Sequence, residues 1–447
     1  MLYSAAVAAS KTIVKPINYI FFQDIADADN FKSIAAFIKL YGAPTPINPI
    51  HFVLTLRPED FCKPKFFPGC GFPFPGVVPK DSDRTCDTDD TLYVGHDAVR
   101  RLVTLLSRYL HVSLQEAFML IRVYNGGCPT LSSNLNHAIH ARDYLSDRKD
   151  LITGSPVDIG QLINGIEYMN LQRKLNDAIH PMKSNEIEQN PKDISLDRQT
   201  LIRSLITDGL DHFKQATGYV CQLRPLSDLL VWLANDMQPI IAFLLAPLTG
   251  LSNLFKLDTC GILYSRLVKI FGQLFAWDNC APKYWSKSPL AKNILLNQFN
   301  VDCDTDAVKH VLDELCKCIA LLGIFLVPTE ILKADELLSL HEQLHETLKT
   351  KDFNHLRVLE GLWHQWNLFK GDKAQIIFDP AVIFFASEVI DMEMKPVTII
   401  IHDGIEFNWD RSVFRMIEDE KHKLPIFAAW DFVDQKAYWS EMINLLN

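Results

Sequence analysis

The hydrophobic positions of the chain form short apolar runs that alternate with longer amphipathic stretches. Residues 17–22 form a compact apolar run that ends at Asp24, and a run of this length predicts a buried strand. From Phe31 to Tyr41 the apolar residues recur every three or four positions, which predicts a helix. The chain therefore begins with a strand, a polar turn and a helix.

The same two patterns predict the remaining elements. Prolines crowd residues 63–80 and predict a loop, because proline removes backbone donors. The pattern weakens between about 131 and 200, which predicts an inserted segment containing helices. Strands are predicted at Ile50–Leu56, at Ile121–Tyr124 followed by a turn at Asn125-Gly126-Gly127, and at Ile240–Leu245, Ile319–Pro328, Val397–His402 and Ile426–Trp430; helices are predicted at Thr91–Leu110, Leu201–Ala234, Asp306–Cys318 and Ala334–Trp366, with a closing helix to Leu446.

Strands that alternate with helices predict an α/β fold with a mainly parallel central sheet flanked by helices. We interpret residues 15–447 as one domain with an insertion at about 131–200, and residues 1–14 as an N-terminal extension.

The composition of the chain argues against some classes of function. The chain has 447 residues, 54 of them acidic and 44 basic, for a net charge of -10 without a strong basic cluster, which argues against nucleic-acid binding. The 10 cysteines are scattered, and none of them form a C-x-x-C pair. This arrangement is typical of reduced thiols and predicts a cytoplasmic location. The longest apolar stretch, 239–251, is shorter than the ~20 residues of a membrane span, so no membrane association is expected.

Three fragments place oxygen-bearing residues where a predicted strand ends or a predicted helix begins. They are Asp24-Ile25-Ala26-Asp27-Ala28-Asp29, Ala246-Pro247-Leu248-Thr249 and Phe378-Asp379-Pro380-Ala381. Open α/β sheets bind ligands at the carboxyl ends of their strands. Carboxylates and a backbone carbonyl brought together there would suit one hard cation. The alternative is that the acids occupy ordinary polar turns, where they complement helix dipoles.

With Asn297-Gln298-Phe299-Asn300 and Asp304-Thr305-Asp306-Ala307, these fragments resemble, in order, the motifs of the inosine–uridine nucleoside hydrolase family. That family carries D-x-D-P-G-x-D-D, G-P-L-T-N, E-F-N followed by D-P-E-A-A, and H-D-P-L-A. The resemblance extends from about residue 17 to the C-terminus. It implies Ca²⁺-dependent hydrolysis of the N-glycosidic bond of a nucleoside-like small molecule, and family members often form homo-oligomers.

The resemblance also implies roles for individual residues. Asp24 would bind calcium and act as the catalytic base, and Asn300 would bind the ribose hydroxyls. Gln298 stands in the place of the glutamate that holds the outer sugar hydroxyl. The implied metal ligands are Asp24, Asp29, Asp379 and the backbone carbonyl of Thr249.

Several positions depart from the family motifs. Phe22 stands where the first aspartate is expected, and Ala28 replaces the carboxylate that gathers the ribose hydroxyls. Asp27, one residue away, would have to substitute for Ala28. Phe378 replaces the histidine that assists the leaving group, and it is a candidate, with Trp363 and Trp366, for stacking on the base. These departures leave a second reading open, in which a catalytically impaired relative keeps a binding or regulatory role.

A different class of chemistry is suggested by His341-Glu342-Gln343-Leu344-His345, which fits the H-E-x-x-H pattern of zinc peptidases. Its surroundings are a charged amphipathic stretch, which favours a solvated helix face. The zinc reading therefore ranks below the other two.

Overall fold

The computed structural model describes a chain built around one 10-stranded sheet. The described residues are 17–24, 28–55, 88–127, 207, 210–278, 298–302, 304–328, 379–402, 412–420 and 424–446. The predicted loop at 63–80, the insertion at about 131–200 and the predicted helical region at 334–366 lie outside them.

The sheet is mostly parallel, as the sequence predicts. Its strand order is β3-β2-β1-β4-β5-β7-β10-β8-β9-β6. Each pair from β3 to β10 in this order is parallel, whereas β8 runs antiparallel to both β10 and β9. The strands are β1 (Asn18–Gln23), β2 (Ile50–Thr55), β3 (Ile121–Gly127), β4 (Ile240–Leu244), β5 (Leu267–Gly272), β6 (Ala276–Trp277), β7 (Gly323–Leu326), β8 (Met392–His402), β9 (Val413–Glu418) and β10 (Ile426–Phe432).

Helices cover both faces of the sheet. One face carries a core shared with α1, α2, α9 and α10, and the other carries a core shared with α4, α5 and α8. The labelled helices are α1 (Ala28–Tyr41), α2 (Thr88–Tyr109), α3 (Leu114–Met119), α4 (Leu226–Asn235), α5 (Thr249–Leu257), α6 (Ile262–Arg266), α7 (Phe299–Asp302), α8 (Thr305–Leu315), α9 (Asp379–Ala386) and α10 (Gln435–Leu446). None of the described helices combines the length and hydropathy that a membrane span requires.

A row of phenylalanines crosses the parallel part of the sheet on the face that α1 and α9 cover. Each of β2, β1, β4, β5, β7 and β10 contributes one ring, and neighbouring rings are paired in register. Ring centroids of successive members lie between 4.7 Å and 5.8 Å apart. The members of this phenylalanine ladder are Phe52, Phe21, Phe243, Phe271, Phe325 and Phe427. Cross-strand aromatic pairs stabilise one register, since a one-residue slip would turn each ring to the opposite face.

The structure corrects two predicted elements. The helix predicted over Leu201–Ala234 is interrupted in its described part: helical residues end at 217, Gly218 has a φ of +73°, and α4 begins only after Pro225. The turn predicted at 125–127 is instead the end of β3, because this segment continues the parallel pairing with β2. Strands β5, β6 and β9 were not predicted.

The phenylalanine ladder generates a stability prediction. Phe243 is fully buried and contacts the rings of Phe21, Phe271 and Phe37. We expect Phe243→Leu to lower the free energy of unfolding by about 2 kcal/mol, because it removes ring contacts as well as buried area. Urea denaturation measures the change.

The matched control for this substitution is Phe384→Leu on α9. Phe384 is equally buried, but its one described ring partner is Tyr438. We expect a smaller loss there. Equal losses at the two positions would show that buried area alone, and not the ladder, determines stability.

Candidate ligand site at the carboxyl edge of the sheet

The order of the strands reverses between β1 and β4. From β1 the chain proceeds outward through β2 and β3, and it then returns to the other side of β1 as β4. Ligands of open α/β sheets bind at such a topological switch point, beyond the carboxyl ends of the strands. Asp24, which is partly buried, directly follows β1, and residues 245–249 connect β4 to α5. We call the position between Asp24 and this connection the switch point.

Hydrogen bonds hold the connection from β4 to α5 in place. The Leu245 backbone N–H donates to the Phe22 carbonyl oxygen at 2.9 Å, which extends the pairing of β1 and β4 by one residue. The Thr55 hydroxyl donates to the Pro247 carbonyl oxygen at 3.2 Å. Thr249 begins α5, and its hydroxyl donates to Asp304 Oδ2 at 2.6 Å. Hydrogen bonds therefore connect the turn to the ends of β1 and β2 and to Asp304, which precedes α8.

Asp304 joins the first turns of two helices. Its side chain is 3% exposed, and its Oδ1 accepts a hydrogen bond from the Ala307 backbone N–H at 3.1 Å, which caps α8. Burial raises the pKa of this carboxyl, while the hydrogen bonds from Thr249 and Ala307 act in the opposite direction. Removing a donor from a buried carboxylate costs free energy. The bond between Asp304 and Thr249 therefore holds both side chains in place.

Glycines let α5 approach the sheet closely. A Cβ atom on Gly250 would lie 2.9 Å from Val53 Cγ1. A Cβ atom on Gly126 would lie 2.7 Å from the Leu54 carbonyl oxygen and 3.1 Å from Gly250 Cα. The first turn of α5 therefore rests directly on the ends of β2 and β3, in a space that admits no larger residue without movement.

Polar residues also collect beyond β5. Gln273 follows this strand and is 3% exposed, and its backbone N–H donates to the Leu244 carbonyl oxygen at 3.0 Å. Asn300 Nδ2 donates to the Gln273 carbonyl oxygen at 3.4 Å. Gln298 Oε1 accepts from the Asn300 backbone N–H at 2.8 Å, so the Gln298 side chain caps α7. Gln298 and Asn300 are both buried next to the end of β5.

Asp379 is the first residue of α9 and is 3% exposed. This helix packs against α1, the helix that follows Asp24. A carboxylate in the first turn of a helix also complements the helix dipole, so burial of Asp379 is compatible with either a metal ligand or a dipole partner.

The remaining predicted residues are described in part or not at all. Asp29 lies in the first turn of α1, and its side chain is outside the described residues, as are Asp27, Phe378 and the 341–345 motif. Within the described ranges no group of three or more His, Cys, Asp or Glu side chains forms a metal site. Calcium binding by the full predicted ligand set stays a prediction.

Three site residues had no role assigned from the sequence: Thr55, Gln273 and Asp304. Thr55 and Asp304 carry local signals, since Thr55 lies one residue before the end of a predicted strand and Asp304 lies two residues before a predicted helix, near its N-cap. Gln273 gave no such signal, because the strand before it was not predicted.

The sequence matches no family model, and no curated protein matches it. Several solved structures resemble the chain over nearly its whole length. The inosine-uridine preferring nucleoside hydrolase from Bacillus anthracis is 10% identical with a TM-score of 0.47, over 96% of this chain and 99% of its own. A plant nucleoside hydrolase is 12% identical with a TM-score of 0.49, over 96% and 99%. A type III effector protein complexed with adenosine diphosphate ribose is 12% identical with a TM-score of 0.44, over 99% and 97%.

The bond between Thr249 and Asp304 generates a prediction. We expect Thr249→Val to lower the free energy of unfolding by about 2 kcal/mol, because the substitution leaves a buried carboxylate without one of its donors. Thr249→Ser keeps the hydroxyl and is the control, with a loss of less than half that size. Urea denaturation of both variants measures this, and equal losses would mean that the methyl group, not the hydrogen bond, stabilises the turn.

Proposed function

We propose that the chain hydrolyses the N-glycosidic bond of a ribonucleoside or a related N-riboside with the aid of Ca²⁺. The observation that carries the proposal is the placement of Asp24 and the 245–249 connection on either side of the switch point. The sequence motifs occur in the same order as in the nucleoside hydrolase family, and this resemblance suggests the type of reaction.

The proposed calcium ligands are the carboxylates of Asp24, Asp29 and Asp379 and the backbone carbonyl of Thr249. All are oxygen donors, which is the chemistry that Ca²⁺ requires. When bound, the ion would orient a water molecule and sugar hydroxyls and make the water more acidic.

The chain's own residues account for the remaining chemistry. Asp24 accepts the proton of the attacking water, since it follows β1 directly and is partly exposed. Asn300 and Gln298, both buried beyond the end of β5, bind the ribose. Asp27 takes the place of the carboxylate missing at Ala28, and Phe378 contributes a ring beside the departing base, which takes its proton from solvent because Phe378 has none to donate. Cleavage develops oxocarbenium character on the ribose, so a carboxylate near the ring stabilises the transition state.

A second candidate function is ligand binding without turnover, and one observation favours it. Phe22, which stands at the position of the first family aspartate, is 1% exposed and belongs to the core shared with α5. No carboxylate can act from that position. In this reading, the scaffold retains the sugar site and has lost part of the catalytic machinery.

The proposed activity is tested by sugar release. We expect the protein to release reducing sugar from at least one member of a nucleoside panel, and to lose the activity on addition of EDTA. Asp24→Asn should reduce the rate by about 100-fold or more, because a general base contributes 10²–10⁴-fold. Asp313→Asn, an exposed position on α8, is the matched control and should leave the rate unchanged.

Calcium titration supplies a readout that does not depend on turnover. We expect isothermal titration to show Ca²⁺ binding to the wild type and weaker binding to Asp24→Asn. Binding of ribose without any sugar release would favour the second function. An unchanged rate in Asp24→Asn would refute the role of this residue as the base.

A further inference from the structure

Gln273 carries a buried amide group whose donor is not used within the described chain. The residue is 3% exposed, and its Nε2 atom has no hydrogen-bond partner among the described residues. Buried donors in folded proteins are nearly always paired, so an unpaired one calls for a physical explanation. Leaving such a donor unmet destabilises the folded protein.

Another buried glutamine of the same sheet shows the usual arrangement. Gln23 ends β1 and is fully buried, and its Nε2 donates to the Ser33 hydroxyl oxygen at 3.0 Å, which links the strand to α1. Gln23 thus connects two elements through its amide donor. Gln273 occupies the corresponding position beyond β5 without making such a link.

The backbone of Gln273 is fixed on both sides. Its N–H donates to Leu244 at the end of β4, and its carbonyl oxygen accepts from the side chain of Asn300. The preceding Gly272 lies against Leu244, where a Cβ atom would be 3.1 Å from Leu244 Cβ. The residue is therefore held between a strand that borders the switch point and a residue proposed to bind ribose.

We propose that Gln273 Nε2 donates a hydrogen bond to an oxygen of the ribose in the bound N-riboside. This inference rests on the proposed function and deepens it by adding a sugar-binding residue. The amide is desolvated, and the backbone that carries it is held in place, before the ligand arrives, so its pairing with a sugar oxygen removes a cost that the free protein bears. Asn300 Nδ2 donates to the backbone carbonyl oxygen of Gln273, so the two residues are neighbours beyond the end of β5.

The inference predicts opposite effects on stability and on binding. Gln273→Met removes the donor while keeping a side chain of similar length and volume. Replacing an unmet buried polar group by an apolar one of similar shape is neutral or stabilising, so the melting temperature should stay the same or rise. Affinity for D-ribose should fall about 10-fold, which corresponds to the loss of one hydrogen bond.

Isothermal titration with D-ribose, combined with thermal melting, tests the inference on the full chain. Gln273→Glu, which replaces the donor by an acceptor, should bind D-ribose more weakly as well. Gln215→Met, at an exposed helical position, is the matched control and should change neither affinity nor melting temperature.

The outcomes separate the two proposals. Weaker ribose binding by Gln273→Met with an undiminished melting temperature supports the inference. Unchanged ribose binding by this variant overturns the role of Gln273 and leaves the proposed function standing. A lowered melting temperature would assign the amide a structural task, which also overturns the role. If the wild type neither binds ribose nor releases sugar from any nucleoside, both the proposed function and the inference are wrong.

Discussion

The phenylalanine ladder is the constraint on which the rest of the structure depends. Its rings stack across neighbouring parallel strands and lock them in one register. Because strands advance by about 3.3 Å per residue, a fixed register also fixes the level at which each strand ends. Thr55 and Asp24 each lie three positions beyond a ladder ring, and Gln273 lies two positions beyond one. A single apolar row thereby brings polar residues from distant parts of the chain to one edge.

The alternating direction of side chains along β1 explains why position 22 carries no catalytic group. Successive side chains of a strand point to opposite faces, so Phe22 lies in the core opposite to the ladder ring of Phe21. A carboxylate at this position would be enclosed by apolar side chains unless the end of β1 were rearranged. The departure from the nucleoside hydrolase motif at Phe22 is therefore built into the packing, and the proposed acids all lie further along the turn.

The sequence predicted the strands whose apolar runs are uninterrupted. It did not predict two strands that contain a buried cationic side chain. The apolar runs of β1, β2 and β4 are nearly continuous, and each strand was predicted within one or two residues of its observed bounds. Strand β5 contains Lys269 and β9 contains Arg415, both about 6% exposed, and these cations break the apolar pattern that identifies a strand. Asp24 and Thr249 could be predicted from strands that the pattern revealed. The position of Gln273 could not be predicted, because it depends on β5 and on hydrogen bonds that only the folded chain brings together.

The contact between Gly126 and Gly250 affects how the space beside the switch point can change during evolution. Two missing methyl groups determine how far the first turn of α5 can sink onto the sheet, and that turn borders the switch point. Exchanging either glycine for a larger residue would move this turn relative to the ends of β2 and β3 without changing a polar residue. The space available to a ligand at the switch point can therefore change through packing alone, while the carboxylates proposed for the site stay as they are.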